Sequence, residues 1–449
     1  MRTADRAREQ LVADLVRGGR VRSSRVRAAL EEVPRHLFLP DVEPADAYAD
    51  EAVPIKVAGG VTVSSVSQPS MVAIMLEQLD AGPGDRVLEI GAGAGWNAGL
   101  LAHVVGRTGV VTTVDIDDDL VEATRRNLAA AGIGAVVAVT ADGSGGYPPG
   151  APYDRIELTV GTGGVRPEWV AQLAPGGRLL LPLTVRGSQL SVALTRTGPG
   201  RLESDSVRSC AFVRLRGAGA DPDTDTVLAG SGWTIQPAGR DAPTFPARVL
   251  DDPGADRPAA CAGSVSDLWD GLGLWCALAD PAVFRLLGPD GPGLAAAALP
   301  LAGGRAALGL AASDGCALLL ADPAATVREF GPGGPRAADR LAALLTGWVR
   351  AGRPHSADLR LSAVVPELDD PNPAGPAPDD PAPDDPAPDD PAPAEPAADG
   401  PASVGPAPVA PERTAAAAAA AAAGGEPDTG ALVDVAGTVL IPVWSPVPA

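Results

Sequence analysis

The chain has 449 residues, four cysteines and a formal net charge of −21, a balance that disfavours nucleic acid and anionic membranes as partners. No N-terminal apolar run reads as a signal peptide and no stretch is long enough to span a bilayer. Three histidines without ligand spacing argue against a metal site, and four cysteines with no Cys-x-x-Cys pair point to a reducing, cytoplasmic compartment. The charge is uneven. Fifteen Asp/Glu and one Arg lie beyond Val365, so −14 of the −21 belongs there and the body is only mildly acidic.

In chain order, Ala4 to Val16 and Ser24 to Glu32 carry helical apolar spacing. Val33 to Pro40, with two prolines, and then Ala47 to Asp50 read as an extended segment packed on a domain surface, with His36 a hydrogen-bonded packing residue. Thr62 to Met71 is serine-rich and opens a helix that runs through Leu79. Val87 to Ile90 reads as a buried strand, Gly91, Gly93 and Gly95 as a tight turn, and Trp96 to Val105 as a helix. A dinucleotide fingerprint would need its third glycine at position 96, which is Trp96. Val110 to Val114 is the next strand and ends on Asp115, twenty residues past Gly95, where a carboxylate can accept both ribose hydroxyls of a nucleoside. A third strand, near Ala135 to Thr140, runs into Ala141-Asp142-Gly143. Ala151 to Leu158 feeds a fourth strand, Trp169 to Leu173 is a short helix, and Arg178 to Leu183 is a strand. Gln189 to Thr195 and Val207 to Leu215 alternate like hairpin strands. Such alternation implies an open, mostly parallel α/β sheet covered on both faces.

The order VPRHLF, AYAD, SQPSMVA, VLEIGAGAGWNAG, ADG, APYDRI and LAPGGRLLLPL resembles the protein-L-isoaspartate O-methyltransferases over Met1 to about Gly217. The resemblance implies a Rossmann-like methyltransferase sheet, S-adenosylmethionine as cofactor and a protein or peptide substrate bearing aspartate or isoaspartate. Residue by residue, it implies Ser67 beside the acceptor carboxylate and Glu89, Gly91, Gly93 and Gly95 around the methionine part of the cofactor. It also implies Asp115 at the ribose, and Asp142 and Gly143 at the adenine. Two positions depart from the family pattern. Thr62 to Ser67 is longer and richer in serine than the usual Thr-Ile-Ser, and Trp96 stands where a tyrosine is usual.

From Gly217 the character changes. Asp221 to Asp225 reads as a linker or surface loop and Ser266 to Leu287 as a helix. Ala306 to Ala312 and Cys316 to Ala321 flank a hairpin turn at Ser313-Asp314-Gly315. A helix bearing Leu341, Leu344, Leu345 and Trp348 follows, then a strand near Leu359 to Val365. The expected organisation is thus a catalytic domain over 1–216, a small α+β domain over 217–365 available for substrate recognition, and a disordered tail over 366–449. In that tail Pro-Ala-Pro-Asp-Asp repeats three times and nine alanines follow Thr414. The apolar patch Leu432 to Trp444 reads either as a strand added to a sheet edge or as a loose end.

Methyl transfer from a sulfonium to a carboxylate asks little of a protein. The acceptor, with a pKa of ~4, is already ionised at neutral pH. Ser67 is therefore expected to position rather than attack. Three uses remain open: repair of damaged isoaspartate, methylation of an aspartate in a ribosomally made peptide, and an inactive cofactor-binding scaffold.

Overall fold

The structure is a computed structural model, and it describes residues 2–239, 245, 247–321, 324–365, 432–433 and 437–445. Helices α1 (Arg2–Arg17) and α2 (Ser24–Glu32) open the chain, and the Ser23 side chain caps α2 by accepting from the Val26 N–H at 3.2 Å. The serine-rich stretch from Thr62 to Val66 lies in the second strand of a hairpin, β1 (Val53–Ala58) and β2 (Val61–Val66). The Gly59-Gly60 pair turns it, both with positive φ.

Helix α3 (Pro69–Leu79) leads into β3 (Arg86–Ile90), α4 (Trp96–Val105), β4 (Val110–Asp115), α5 (Asp118–Ala130), β5 (Val136–Thr140), β6 (Tyr153–Leu158) and α6 (Pro167–Ala171). Three long strands follow, β7 (Leu173–Val185), β8 (Ser188–Gly198) and β9 (Arg201–Ser209); Cys210 to Leu215 is not strand. Strands β3, β4, β5, β6 and β7 are parallel and β8 and β9 antiparallel, in the spatial order β9-β8-β7-β6-β3-β4-β5. The chain winds outward from β3 to β5 and returns at β6 beside β3. That reversal opens a crevice at the strand ends, where open α/β sheets bind ligands.

Alternation along the strands assigns the two faces. Val87, Val111 and Leu180 point into a core with α1–α4, while Leu88, Ile90, Ile156, Leu179 and Leu181 point into the opposite one.

The second half contributes β10 (Thr226–Leu228), β11 (Trp233–Pro237), β12 (Pro253–Pro258), α7 (Leu272–Ala279), β13 (Val283–Gly288), α8 (Leu294–Ala297), β14 (Leu299–Leu301), β15 (Gly304–Ala312), β16 (Gly315–Leu320), β17 (Thr326–Phe330) and α9 (Gly334–Arg350). The strands form an antiparallel eight-stranded sheet. The helix expected over Ser266–Leu287 stops at Ala279, because Pro281 cannot continue it and Val283-Phe284 favour a strand. Helices α7 and α9 share one buried cluster with the first sheet, in which Trp275, Leu341, Leu345 and Trp348 join Leu179, Leu181 and Leu190.

Strand β18 (Leu359–Val364) then pairs with β9, extending the first sheet. Of the tail expected over 366–449, the acidic repeats and the alanine run lie outside the described residues. The apolar patch does not read as a loose end: β19 (Leu432–Val433) and β20 (Val439–Trp444) add beyond β18 in antiparallel register. Leu440 and Trp444 face inward, and the Trp444 ring lies 5.5 Å from that of Trp275. Among the described residues no helix is long and apolar enough to cross a membrane.

Candidate active site

Strand β3 is buried from Val87 to Ile90 between β4 and β6, so its end is fixed, and the chain turns there through Gly91 (φ 107°) and Gly93 (φ 54°). A Cβ at Gly91 would stand 2.4 Å from Thr159 Oγ1, so only glycine fits. At Gly93 the nearest atoms are 3.7 Å away, and here the backbone faces an open cleft. Gly95 plays a packing part: a Cβ would meet Thr124 Cγ2 at 2.8 Å, where α4 closes on α5. The cleft, about 920 Å³ counting the open space at its mouth, brings together Ser67, Glu89, Gly91, Gly93, Asp115 and Gly143. Gly95 and Asp142 are not on its wall.

Asp115 ends β4 and is 9 % exposed. Its Oδ2 accepts from the Gly93 N–H at 3.1 Å and its Oδ1 from the Asp117 N–H at 3.2 Å, which leaves each oxygen a further acceptor site. Burial raises its pKa, and the two backbone donors oppose that rise. A buried carboxylate with unused acceptor capacity beside a glycine turn fits the paired hydroxyls of a ribose. Asp142 is placed differently. Burial acts upward on its pKa, but the Ala218 and Ser144 N–H groups, at 2.7 and 2.9 Å, outweigh burial and hold the carboxylate below its ordinary value. Its side chain shapes the loop, and it is Gly143 that borders the cleft.

An ion-pair network spans the rim. Lys56 of β1 reaches Asp117 at 3.0 Å and Asp119 at 2.7 Å, while Arg216 pairs with Asp117 at 2.5 Å. The Arg216 hydrogen bonds chiefly hold the Asp117 carboxyl below its usual range. Hairpin and 212–216 segment are thereby tied to the same turn after β4.

At the floor, Glu89 and Glu157 are both buried, and Asn97 Nδ2 bridges them at 2.8 and 2.9 Å. Thr113 Oγ1 donates to Glu89 at 2.5 Å. Burial pushes Glu89 up to about 8 and Glu157 up to about 7, against hydrogen bonds that act the other way. Between an ordinary 4.5 and these values, the folded protein holds protons that the unfolded chain has released. Unfolding therefore releases protons, and stability falls as pH rises through that window. Glu157→Gln should flatten the fall by roughly 1 kcal/mol per pH unit, read from urea unfolding midpoints between about pH 5 and about pH 8. An unchanged slope would mean the pair does not titrate there.

The Ser67 side of the cleft is built on Arg35, which is fully buried. Its Nε donates to the Ala47 carbonyl at 2.7 Å and its Nη1 to the Ser67 carbonyl at 2.8 Å; Nη2 reaches the Glu51 and Val66 carbonyls at 3.2 and 3.4 Å. One guanidinium thus fixes the chain leaving β2. The Ser67 hydroxyl has no protein partner among the described residues. His36 lies outside the cleft, with Nδ1 2.8 Å from the Tyr48 hydroxyl.

Comparison with known proteins follows the same outline. The family profile described as Protein-L-isoaspartate(D-aspartate) O-methyltransferase matches residues 6–219. The protein-L-isoaspartate O-methyltransferase of Hyperthermus butylicus is 40% identical over 233 residues, covering 50% of this chain and 95% of that protein. That of Methanopyrus kandleri is 42% identical over 213 residues, covering 47% and 92%. The chain belongs to the protein-L-isoaspartate O-methyltransferase family. A solved protein-L-isoaspartate O-methyltransferase aligns with 24% identity and a TM-score of 0.46 over 79% of this chain and 96% of its own.

Within this family member, two parts of the site escaped the sequence reading. Arg35 was passed over inside an apolar, proline-bounded segment, since nothing in one chain marks a cation that bonds to distant carbonyls. The β1–β2 hairpin with Lys56 had a readable signal in Gly59-Gly60, flanked by alternating valines.

Proposed function

We propose that this chain transfers a methyl group to the side-chain carboxylate of an isoaspartyl or aspartyl residue in a protein or peptide. As an enzyme of its family it uses S-adenosylmethionine. The observation that carries the reading is the convergence of the glycine turn, the buried Asp115 and the Arg35-anchored Ser67 on one cleft.

Bound S-adenosylmethionine supplies a methyl group already activated on a sulfonium. The chain's own residues hold and orient. Asp115 would accept hydroxyl hydrogens at the ribose, and the Gly91–Gly93 backbone would admit the ligand closely. Ser67, its carbonyl tied to Arg35, would donate its hydroxyl to one acceptor oxygen and leave the other free to take the methyl group. Val72, Met75 and Phe212 line the same cleft and keep water away. Orientation of this kind supplies roughly 7–11 kcal/mol of a barrier, and an ionised carboxylate needs no general base. A backbone nitrogen next to the product ester then attacks the ester carbonyl and closes a succinimide, losing its proton and expelling methanol, a better leaving group than the oxygen of the free carboxylate. The same reading places the activity in the cytoplasm and on polypeptides rather than nucleic acid.

Labelled cofactor incubated with a short isoaspartyl peptide, its aspartyl counterpart and a candidate precursor peptide tests this. Base-labile label on the isoaspartyl peptide is expected. Label on the precursor alone would move the assignment to dedicated peptide maturation. No label on any of them, with cofactor bound, would sink carboxyl methylation.

A further inference from the structure

One wall of the cleft carries Trp96, a donor without a partner, and behind it stands a cation that forms no ion pair among the described residues. Arg35 is fully buried, yet among the described residues no carboxylate lies within ion-pair distance of it. All its recorded hydrogen bonds go to backbone carbonyls. Neutral carbonyls satisfy its N–H groups, and the charge of Asp50 acts on it without an ion pair and offsets burial only in part, since burial still lowers its pKa to about 10; a buried charge is ordinarily paired directly. Its guanidinium carbon stands 4.4 Å from the centroid of the Trp96 ring. Trp96 is 3% exposed and lines the cleft, and its indole Nε1 is buried without a hydrogen-bond partner among the described residues. Native proteins seldom leave a buried N–H unpaired, so a donor of this kind on a cleft wall calls for a partner, a water or a ligand. An indole N–H can only donate, and a cation stacked on the ring makes it a better donor to an anion.

We infer that the Trp96 indole N–H, with the Arg35 guanidinium stacked on its ring, is a carboxylate-binding donor of this cleft. The inference rests on the methyltransferase reading, which brings two carboxylates to the site: that of the substrate and that of the cofactor's methionyl part. Arg35 also holds the Ser67 and Val66 carbonyls, so Trp96 and Ser67 share one anchor, and the substrate carboxylate is the better candidate. Glu89 and Glu157 do not partner this pair: their recorded hydrogen bonds run to Asn97 and Thr113. The site then has one role for each residue: Trp96 binds the carboxylate and Arg35 is a positioning residue behind it.

The test removes the N–H and keeps the ring. Trp96→Phe is the simple variant; benzothienylalanine at position 96, which replaces the N–H by sulfur at nearly constant shape, guards against loss of packing. Calorimetry reads S-adenosylhomocysteine binding, and then binding of a short isoaspartyl peptide to the protein–S-adenosylhomocysteine complex, with no turnover required. Peptide binding weakened tenfold or more, with cofactor binding and melting temperature unchanged, is the expected result, accompanied by a raised KM and a nearly constant kcat. Weaker binding of S-adenosylhomocysteine with peptide binding unchanged supports the same donor and assigns it to the cofactor's carboxylate. Both affinities unchanged in a folded benzothienylalanine variant would overturn the inference. Wild-type protein that binds these ligands without methylating the peptide would count against the proposed reaction alone.

Discussion

A chain ending after Gly217 is expected not to fold, although it contains every residue assigned to the cleft. The reason lies in the sheet face it would uncover. Leu179, Leu181, Leu183, Leu190, Val192 and Leu194 alternate inward from β7 and β8, are fully buried, and belong to one cluster with Leu272, Trp275, Leu341, Leu345 and Trp348. At about 1.5–3 kcal/mol for each fully buried aliphatic side chain, exposing these six costs on the order of 10 kcal/mol. Net stabilities are about 5–15 kcal/mol. Polar ties would go as well. Arg285, fully buried, donates to the Leu268 carbonyl at 2.6 Å, the Ser188 hydroxyl at 2.6 Å and the Arg186 carbonyl at 3.3 Å, pinning the β7–β8 turn to the second half. Strand β9 would also lose β18 as its neighbour. Near-UV circular dichroism and cofactor calorimetry on the fragment decide the matter. A soluble fragment with a cooperative melt and near-native cofactor affinity would show that the 217–365 segment is an accessory layer, free to serve substrate recognition alone.

What could be read from the chain follows the range of the physics. The glycine turn, the strand before it and Asp115 are local: buried strand, forced turn and helix are written within thirty residues, and the structure brings them to one cleft. Position alone was readable for Asp142, because which way a carboxylate turns depends on the Ala218 N–H, 76 residues further on. The helix read over Ser266–Leu287 came from apolar spacing that a buried strand shares, and Pro281 was the available warning. Least readable were the contacts between distant segments. Strand β20 needs a partner about eighty residues earlier, and the apolar faces of α7 and α9 do not say which sheet they cover.

Arg35→Met should be the most damaging single substitution near the site, because it deletes four donors and fills their place with carbon. The carbonyls of Ala47, Glu51, Val66 and Ser67 all lose a donor they now have. A buried acceptor left unpaired costs about 1–3 kcal/mol. The partial exposure of Glu51 and Ser67 lets water replace some of these bonds. Recovered desolvation of the guanidinium offsets part of the remainder: burial already lowers its pKa to about 10, a sign that the cation is held at some expense. A net loss of roughly 3–5 kcal/mol is then expected, or a fall in Tm on the order of 5–10 °C. Lysine at 35 should not restore it, since one ammonium cannot reproduce a planar fork that reaches four carbonyls. The functional consequence separates anchoring from bulk stability. Below the lowered Tm, cofactor affinity should stay near wild type, because Gly93 and Asp115 are held by β3 and β4. Methyl transfer should fall sharply, because Ser67 has lost the bond that fixes its backbone. An unchanged Tm would mean that water satisfies the four carbonyls and that the chain between β2 and α3 holds its shape without the guanidinium. A fall in Tm with kcat and KM unaltered would separate Ser67 from Arg35 and leave the arginine a purely structural residue.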